Sequence, residues 1–547
     1  MAPPDSAPAS LRTPFLYPIF RAIWIASVVS NIGTWMQNVA GVWLVTTLTT
    51  SALLVALMQT ATSLPAFLLG LPAGALGDLI DRRQLLLATQ GFMAVVALVL
   101  GGLTLVGEVS ALSVLGLTFL LGIGAAVNMP IWQTVTVELV PRPALPFAIT
   151  LNGVSNNIAR AIGPALGGLI IAHYSAGYVF LLNGVSFLGT WWVVRAWRRP
   201  VQASSGPAEN FAGALRTGLR YVQYSPAIYA VLVRTFAFAF GASAMWALLS
   251  VVAARRLHLS SGSYGVLLSW LGAGAITGAF LMGRAGERLS YNQRVLLGSA
   301  MFIGTNLGLA LMPTEVWLFP VMFLSGVAWL MVMTSFSTTV QLHVPRWVQA
   351  RVVSVYMLVF QAGLALGSVA WGELADRASL LVALLAAAGW MLLSLLLALP
   401  FPMRSAEGLN LDPATTEPGP AAPEGVEADD GPVILMVEYQ VPPSQQPAFR
   451  EAVGPLTRLR LRNGALRAGV YTDVSRPGYI TEFYYVATWG EYERQQLRFT
   501  QEDQTTEQQV RQFHIGPEPP QVRRFLAFPH TINIELPAPV ESIESQR

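Results

Sequence analysis

Between Ile19 and Arg404 the chain divides, at short polar interruptions, into twelve mostly apolar stretches, most of them at or above the roughly 20 residues that carry an α-helix across a bilayer. The spans read as 19–48, 52–77, 84–106, 110–136, 147–172, 177–198, 226–254, 262–284, 292–312, 315–342, 350–374 and 379–402. A backbone inside lipid has no water to bond to, so each stretch must satisfy its own hydrogen bonds as a helix. An all-α membrane region of twelve transmembrane helices follows. Charged residues at 12% and hydrophobic residues at 53% leave too much apolar surface for a soluble globule of 547 residues. With no cysteine, disulfides, thiol nucleophiles and thiolate metal sites are excluded, and the five histidines are too scattered to suggest a metal centre or a cofactor site. The basic residues are all arginines, spread between the apolar stretches rather than gathered into one patch, which argues against nucleic acid as a partner. Met1–Pro14 lacks a basic segment and leads into an apolar stretch too long for a signal-peptide core, so no cleaved signal is expected.

Arginine placement sets the expected orientation. Arg12, Arg21, Arg82, Arg83, Arg142, Arg195, Arg198, Arg199, Arg216, Arg220, Arg284, Arg288, Arg294, Arg346, Arg351 and Arg404 fall on one side, against Arg255, Arg256 and Arg377 on the other. The positive-inside rule then puts both termini in the cytoplasm, with the lipid bilayer of a bacterial inner membrane as the solvent.

The apolar region is also duplicated. VPRPALPFAITLNGVSNNIARAIGPALGGLI, from Val140, aligns without a gap on VPRWVQARVVSVYMLVFQAGLALGSVAWGEL, from Val344, at an offset of 204. Val140, Pro141, Arg142, Gly163 and Gly168 recur as Val344, Pro345, Arg346, Gly367 and Gly372, and Gly74–Ala75 falls on Gly278–Ala279. Two six-helix halves are expected, 1–199 and 226–404, with a substrate cavity between them near the bilayer midplane. The intervening 200–225 is read as cytoplasmic. Its part from Phe211 to Tyr224 sets Phe211, Leu215, Leu219 and Val222 apart from Arg216 and Arg220, as in a helix lying on the membrane surface.

Beyond Arg404 the apolar pattern stops. Residues 405–432, rich in Pro, Ala and acidic side chains, read as a flexible linker. A soluble α+β domain is expected over 433–530, followed by a tail, 531–547. Its strands are Val433–Gln440, Ala465–Asp473, Tyr479–Thr488 and Val522–Phe528, with helices at Ser444–Arg462 and Gly490–Phe513. The βαββαβ order is that of the ferredoxin-like motif.

Two motifs bear on function. At the end of the second span stands GALGDLIDRR, in which Gly74, Asp78, Asp81, Arg82 and Arg83 combine close helix approach with opposite charges, the makings of a cytoplasmic latch. In the fifth span stands GPALGG, where Pro164 removes a backbone hydrogen bond and Gly163, Gly167 and Gly168 admit a neighbouring helix. The first resembles the signature of the major facilitator superfamily, although Leu79 and Asp81 depart from its commonest pattern. The second is similar to the motif of that superfamily's antiporters. ELVPRPALPFAITLN, ARAIGPALGG, SYGVLLSWLGAGAITGAFL and, near the C-terminus, VATWGEYERQQLRFTQED resemble its secretion-effector branch, which includes enterobactin-exporter-like and macrolide-efflux-like proteins. The resemblance implies the major facilitator fold and efflux of a small siderophore-like or drug-like molecule, in exchange for protons. For the C-terminal domain it implies kinship with dimeric α+β-barrel domains related to small monooxygenases, hence self-association; His514 and His530 stand alone and Trp489 reads as packing at a strand end, so the residues favour a regulatory or oligomerisation module over an enzyme. A transporter-shaped protein that signals or scaffolds through its cytosolic domain is the competing reading.

Ionisable groups inside spans are expensive unless paired or wet. Arg160, beside Asn156 and Asn157, is either a binding group for an anionic substrate such as a carboxylate or catecholate, or a structurally paired cation. Arg234 carries the same two readings and also reaches the interface by snorkelling. No Asp or Glu stands in the middle of a span, and Thr118 falls near the place where related drug exporters have a fourth-helix arginine tied to proton coupling. Proton exchange therefore rests on the resemblance alone. Further cavity candidates are Asn31, Trp35, Gln37, Asn38, Gln59, Asn128, Gln133, Trp246 and Gln361, each of which, taken singly, would more often bridge helices than touch substrate.

Overall fold

A computed structural model describes residues 10–197, 211–285, 289–403, 405–406, 408–414 and 422–527, with the backbone alone for 71, 73–79, 137, 142, 211–216 and 283–285. It divides into two compact units. The first holds Met1–Leu215, Ala227–Leu342 and Ala350–Ala406; the second holds Arg216–Pro226, His343–Gln349 and Glu407–Arg547.

The first unit is built from α1 (Pro18–Leu48), α2 (Ala52–Leu79), α3 (Arg82–Val106), α4 (Ala111–Leu139), α5 (Leu145–His173) and α6 (Ala176–Ala196) in one half. The other half holds α8 (Pro226–Val251), α9 (Ser261–Ala285), α10 (Tyr291–Leu311), α11 (Glu315–Leu342), α12 (Arg346–Arg377) and α13 (Leu380–Leu396); α7 (Phe211–Gln223) lies between the halves in sequence. A helix stands on each of the twelve apolar stretches, but among the described residues ten helices are long and apolar enough to cross a membrane. The expected count of twelve is thus not established by length and composition. Leu145–His173 is diluted by Asn152, Asn156, Asn157 and Arg160, and Leu380–Leu396 has only 17 residues.

The duplication is visible in the packing. A Cβ on Gly163 would come within 2.6 Å of Trp35 on α1, and one on Gly367 would strike Phe240 and Ser243 on α8, each in its own half. One on Gly168 would come within 2.6 Å of the Ser261 carbonyl on α9, and one on Gly372 within 3.0 Å of Leu53 on α2, each in the opposite half. Equivalent glycines therefore open equivalent seams, within and between halves. Thr46 and Ser250, 204 positions apart, hydrogen-bond each other at 2.9 Å in a buried contact, as two copies of one position meeting across the pseudo-twofold axis.

In the second unit β1 (Val433–Gln440), β2 (Arg467–Thr472), β3 (Tyr479–Val486) and β4 (Gln521–Leu526) form an antiparallel sheet in the order β2-β3-β1-β4, that of the ferredoxin-like motif. Alternation along β1 buries Val433, Leu435, Val437 and Tyr439 against Phe449, Val453 and Leu456 of α14 (Gln446–Asn463). The single polar helix expected over Gly490–Phe513 is two, α15 (Trp489–Leu497) and α16 (Gln501–Arg511). Thr500 ends the run because its side chain accepts from the Asp503 amide and the Asp503 carboxylate accepts from the Thr500 amide, a capping box that starts a new helix. Between sheet and helices, Arg460 donates to Glu482 and to Glu507, each at 3.1 Å, and Arg511 donates to Glu507 at 3.0 Å. Burial raises the Glu507 pKa, but Arg460 and then Arg511 outweigh it and hold the carboxyl below its ordinary range.

Candidate functional site

The first unit encloses a cavity of about 210 Å³ between its two halves. From the first half come Trp35, Gln37, Asn38, Met58, Gln59, Thr62, Thr118 and Arg160; from the second, Trp246, Tyr264, Leu268, Trp329 and Leu364. Of the sequence candidates, Trp35, Gln37, Asn38, Gln59, Arg160 and Trp246 thus meet in one place. No carboxylate lines the cavity among the described residues.

Arg160 dominates its electrostatics. Its guanidinium carbon lies 5.4 Å from the centroid of the Trp35 ring, a cation–π contact, while its Nε is buried without a hydrogen-bond partner among the described residues. Trp35 and Trp246 are 6.5 Å apart by ring centroid, and Trp246 and Trp329 meet edge to face at 5.4 Å. The Trp246 indole Nε1 is also buried without an acceptor among the described residues. Two donors left open in a low-dielectric pocket are an unfilled requirement, which an acceptor-rich guest would meet. The indole faces supply flat apolar area beside them. Such a pocket can bind an anion that also carries an aromatic ring.

The other candidates do structural work. Asn31 donates to Ser155 at 3.1 Å and ties α1 to α5, and the Asn128 carbonyl accepts from Thr89 at 3.3 Å and from Gln90 at 3.4 Å. Asn156 and Asn157 donate to the Asn152 and Gly153 carbonyls of their own helix. Arg234 is buried and donates to Asn292, at the start of α10. Gln133 is exposed, and Gln361 lies outside the cavity lining. The side chains of Gly74 and Asp78 lie outside the described residues. Among their neighbours, Asp81 caps α3 by accepting from the Gln84 amide at 3.0 Å, Arg82 pairs with Glu138 at 2.6 Å, and Arg83 donates to the Val194 and Arg195 carbonyls at the end of α6. The sequence reading missed Trp329 and Tyr264. The signal was available for Trp329, since tryptophan favours membrane interfaces and this one stands mid-helix.

A family model described as transmembrane secretion effector matches residues 9–531, which takes in the α+β unit as well as the helical one. Curated relatives include the enterobactin exporter EntS of Citrobacter koseri, 25% identical over 371 residues that cover 65% of this chain and 85% of that protein. The staphyloferrin A transporter of Staphylococcus aureus is 29% identical over 157 residues, 28% of this chain and 40% of that protein. Among solved structures, a bacterial homologue of the human lysosomal transporter Spinster, inward-facing and occupied, aligns with a TM-score of 0.57 at 14% identity over 71% of this chain and 97% of that one. The nucleoside transporter NupG aligns at 0.59 and 11% identity, over 70% and 100%. These structural likenesses speak to the fold.

Proposed function

Since the chain belongs to the transmembrane secretion effector family, and is a multi-pass membrane transporter of the major facilitator fold, we propose that it exports a small anionic molecule bearing an aromatic ring by alternating access. The observation that carries this reading is the buried, unpaired Nε of Arg160 beside three tryptophans in a cavity shared by the two halves. A siderophore-like or drug-like substrate fits that chemistry, and the names of the curated relatives point the same way. Inner-membrane residence, cytoplasmic termini and a latch at Gly74–Arg83 are the parts of the proposal that follow from sequence, and proton exchange as the driving force comes from the family resemblance alone. For the α+β unit we propose self-association. The face of its sheet turned away from α14 carries Ile434, Met436, Phe483, Tyr485 and Phe525 in register, a surface suited to a second copy.

The test is efflux from proteoliposomes across a panel of aromatic carboxylates, catecholates and neutral drugs. Arg160→Ala is expected to abolish transport of the anions, and Arg160→Lys to retain part of it. Equal transport of neutral and anionic compounds, or unchanged efflux in Arg160→Ala, would overturn the assignment. Collapsing an imposed pH gradient during the same assay tests proton exchange.

A further inference from the structure

The α1–α2 hairpin, Thr49–Leu53, is held from both of its helix ends by the opposite half. The Asp376 carboxylate, at the end of α12, accepts from the Ser51 hydroxyl and from the Ala52 and Leu53 amides, the first donors of α2. Arg255, just beyond the end of α8, donates to the carbonyl of Thr49, the C-cap of α1, and to that of Thr50 next to it, at 2.7 Å each. Helix N-termini present unpaired amides with partial positive charge and C-termini unpaired carbonyls with partial negative charge. Each charge therefore sits on the helix end of opposite sign. Glu373 and Arg377 pair with each other at 2.5 Å one turn along. Beneath the hairpin lie the Thr46–Ser250 hydrogen bond and the stacked rings of Trp43 and Tyr264, 5.4 Å apart, both between halves; Tyr264 also lines the cavity.

We propose that Asp376 and Arg255 form a two-signed clasp that shuts this end of the pathway, so that its release opens the cavity toward that side. Duplication does not explain it. The positions equivalent to Asp376 and Arg255 in the first half are Ala172 and Ser51, so the clasp acts from one half on the other without a mirror contact. On the orientation read from the arginines this is the non-cytoplasmic end. The proposal rests on the transporter reading, since only a protein that alternates access needs a separable seal.

The native chain has no cysteine, so an introduced thiol is its only one. With Thr62→Cys in the cavity wall, labelling in whole cells by a membrane-impermeant maleimide reports opening to the outside. Asp376→Ala is expected to raise the labelling rate about tenfold and Arg255→Gln several-fold, with thermal unfolding of purified protein confirming that both variants fold. A second arm oxidises a Ser51→Cys/Asp376→Cys pair, which should stop export until reductant is added. Wild-type labelling rates in both single variants, or full export by the cross-linked pair, would overturn the clasp. Labelling needs no knowledge of the substrate, so a panel that finds no transported compound counts against the export reading and leaves this arm decisive.

Discussion

The helices α5 and α12 align without a gap at the offset of 204, and three of the many positions at which they differ stand out. Both keep glycines that let one face pack within its half and another pack across to the opposite half. Where α5 has Arg160, α12 has Leu364, and both line the cavity. Where α5 has Pro164, α12 has Ser368, whose hydroxyl bonds back to the Leu364 carbonyl of its own helix at 2.7 Å. Where α5 has Ala172, α12 has Asp376 on the α1–α2 hairpin. The scaffold contacts are symmetric and the chemistry is not. On the proposed function, the duplicated frame supplies the two-state motion, and single replacements fall on the cavity wall and on the hairpin between the halves.

The largest expected effect comes from moving the charge across the axis. Losing a charged hydrogen-bonding partner in a buried site removes about 2–3 kcal/mol, so Arg160→Leu should weaken binding roughly a hundredfold. The exchange Arg160→Leu with Leu364→Arg should recover about a tenth of native affinity, measured by equilibrium binding, if the two walls are equivalent. No recovery would break the comparison at the cavity. Next come the seams. Gly168→Leu and Gly372→Leu each force a side chain against the opposite half and should each lower stability by about 1–3 kcal/mol, read from thermal unfolding. A large loss in one and none in the other would show that the seams are not equivalent.

A smaller change is expected at the hinge. Pro164→Ala restores a helical hydrogen bond on α5 and should slow export several-fold while leaving binding intact, and Ser368→Ala should leave both unchanged. The smallest effect lies outside the duplication, in the α+β unit, which has no second copy in the chain. Glu507 is depressed in the folded state, so its contribution is present above its ordinary value near 4.5 and is lost as pH falls through the lower folded value. Acid unfolding of this unit should start just below that pH, and Glu507→Gln should flatten the dependence, followed by circular dichroism.

Much of this was legible in the sequence because lipid and strand pleat impose strong periods. The two halves appeared as apolar length and a gapless repeat, and β1 as a short, mostly apolar run over Val433–Gln440. Within the site, Arg160 stood out because a charge in an apolar helix needs a reason. Asn31, Asn128 and Arg234 met the same criterion and proved to be satisfied by neighbours, since polarity marks a cost without naming the partner that relieves it. Asp376 and Arg255 were invisible as a pair because their meeting ground is a hairpin more than 200 residues away from either. The break at Thr500 was missed because a polar run gives no periodicity to interrupt.

The polar content of α5 reaches beyond ligand recognition, to how the protein is made. A segment carrying Arg160 and three asparagines gains little by partitioning alone from the translocation channel into lipid, where an arginine at mid-helix counts for about 2.5–3.5 kcal/mol against insertion. Only Tyr174 and Ser175 separate it from the more apolar α6, and Gly163 packs it on α1. During biogenesis α5 is therefore a dependent client. It is expected to enter the bilayer as a hairpin with α6 once α1 is there to receive it, so that Arg160 bears on the order of assembly as well as on the cavity wall.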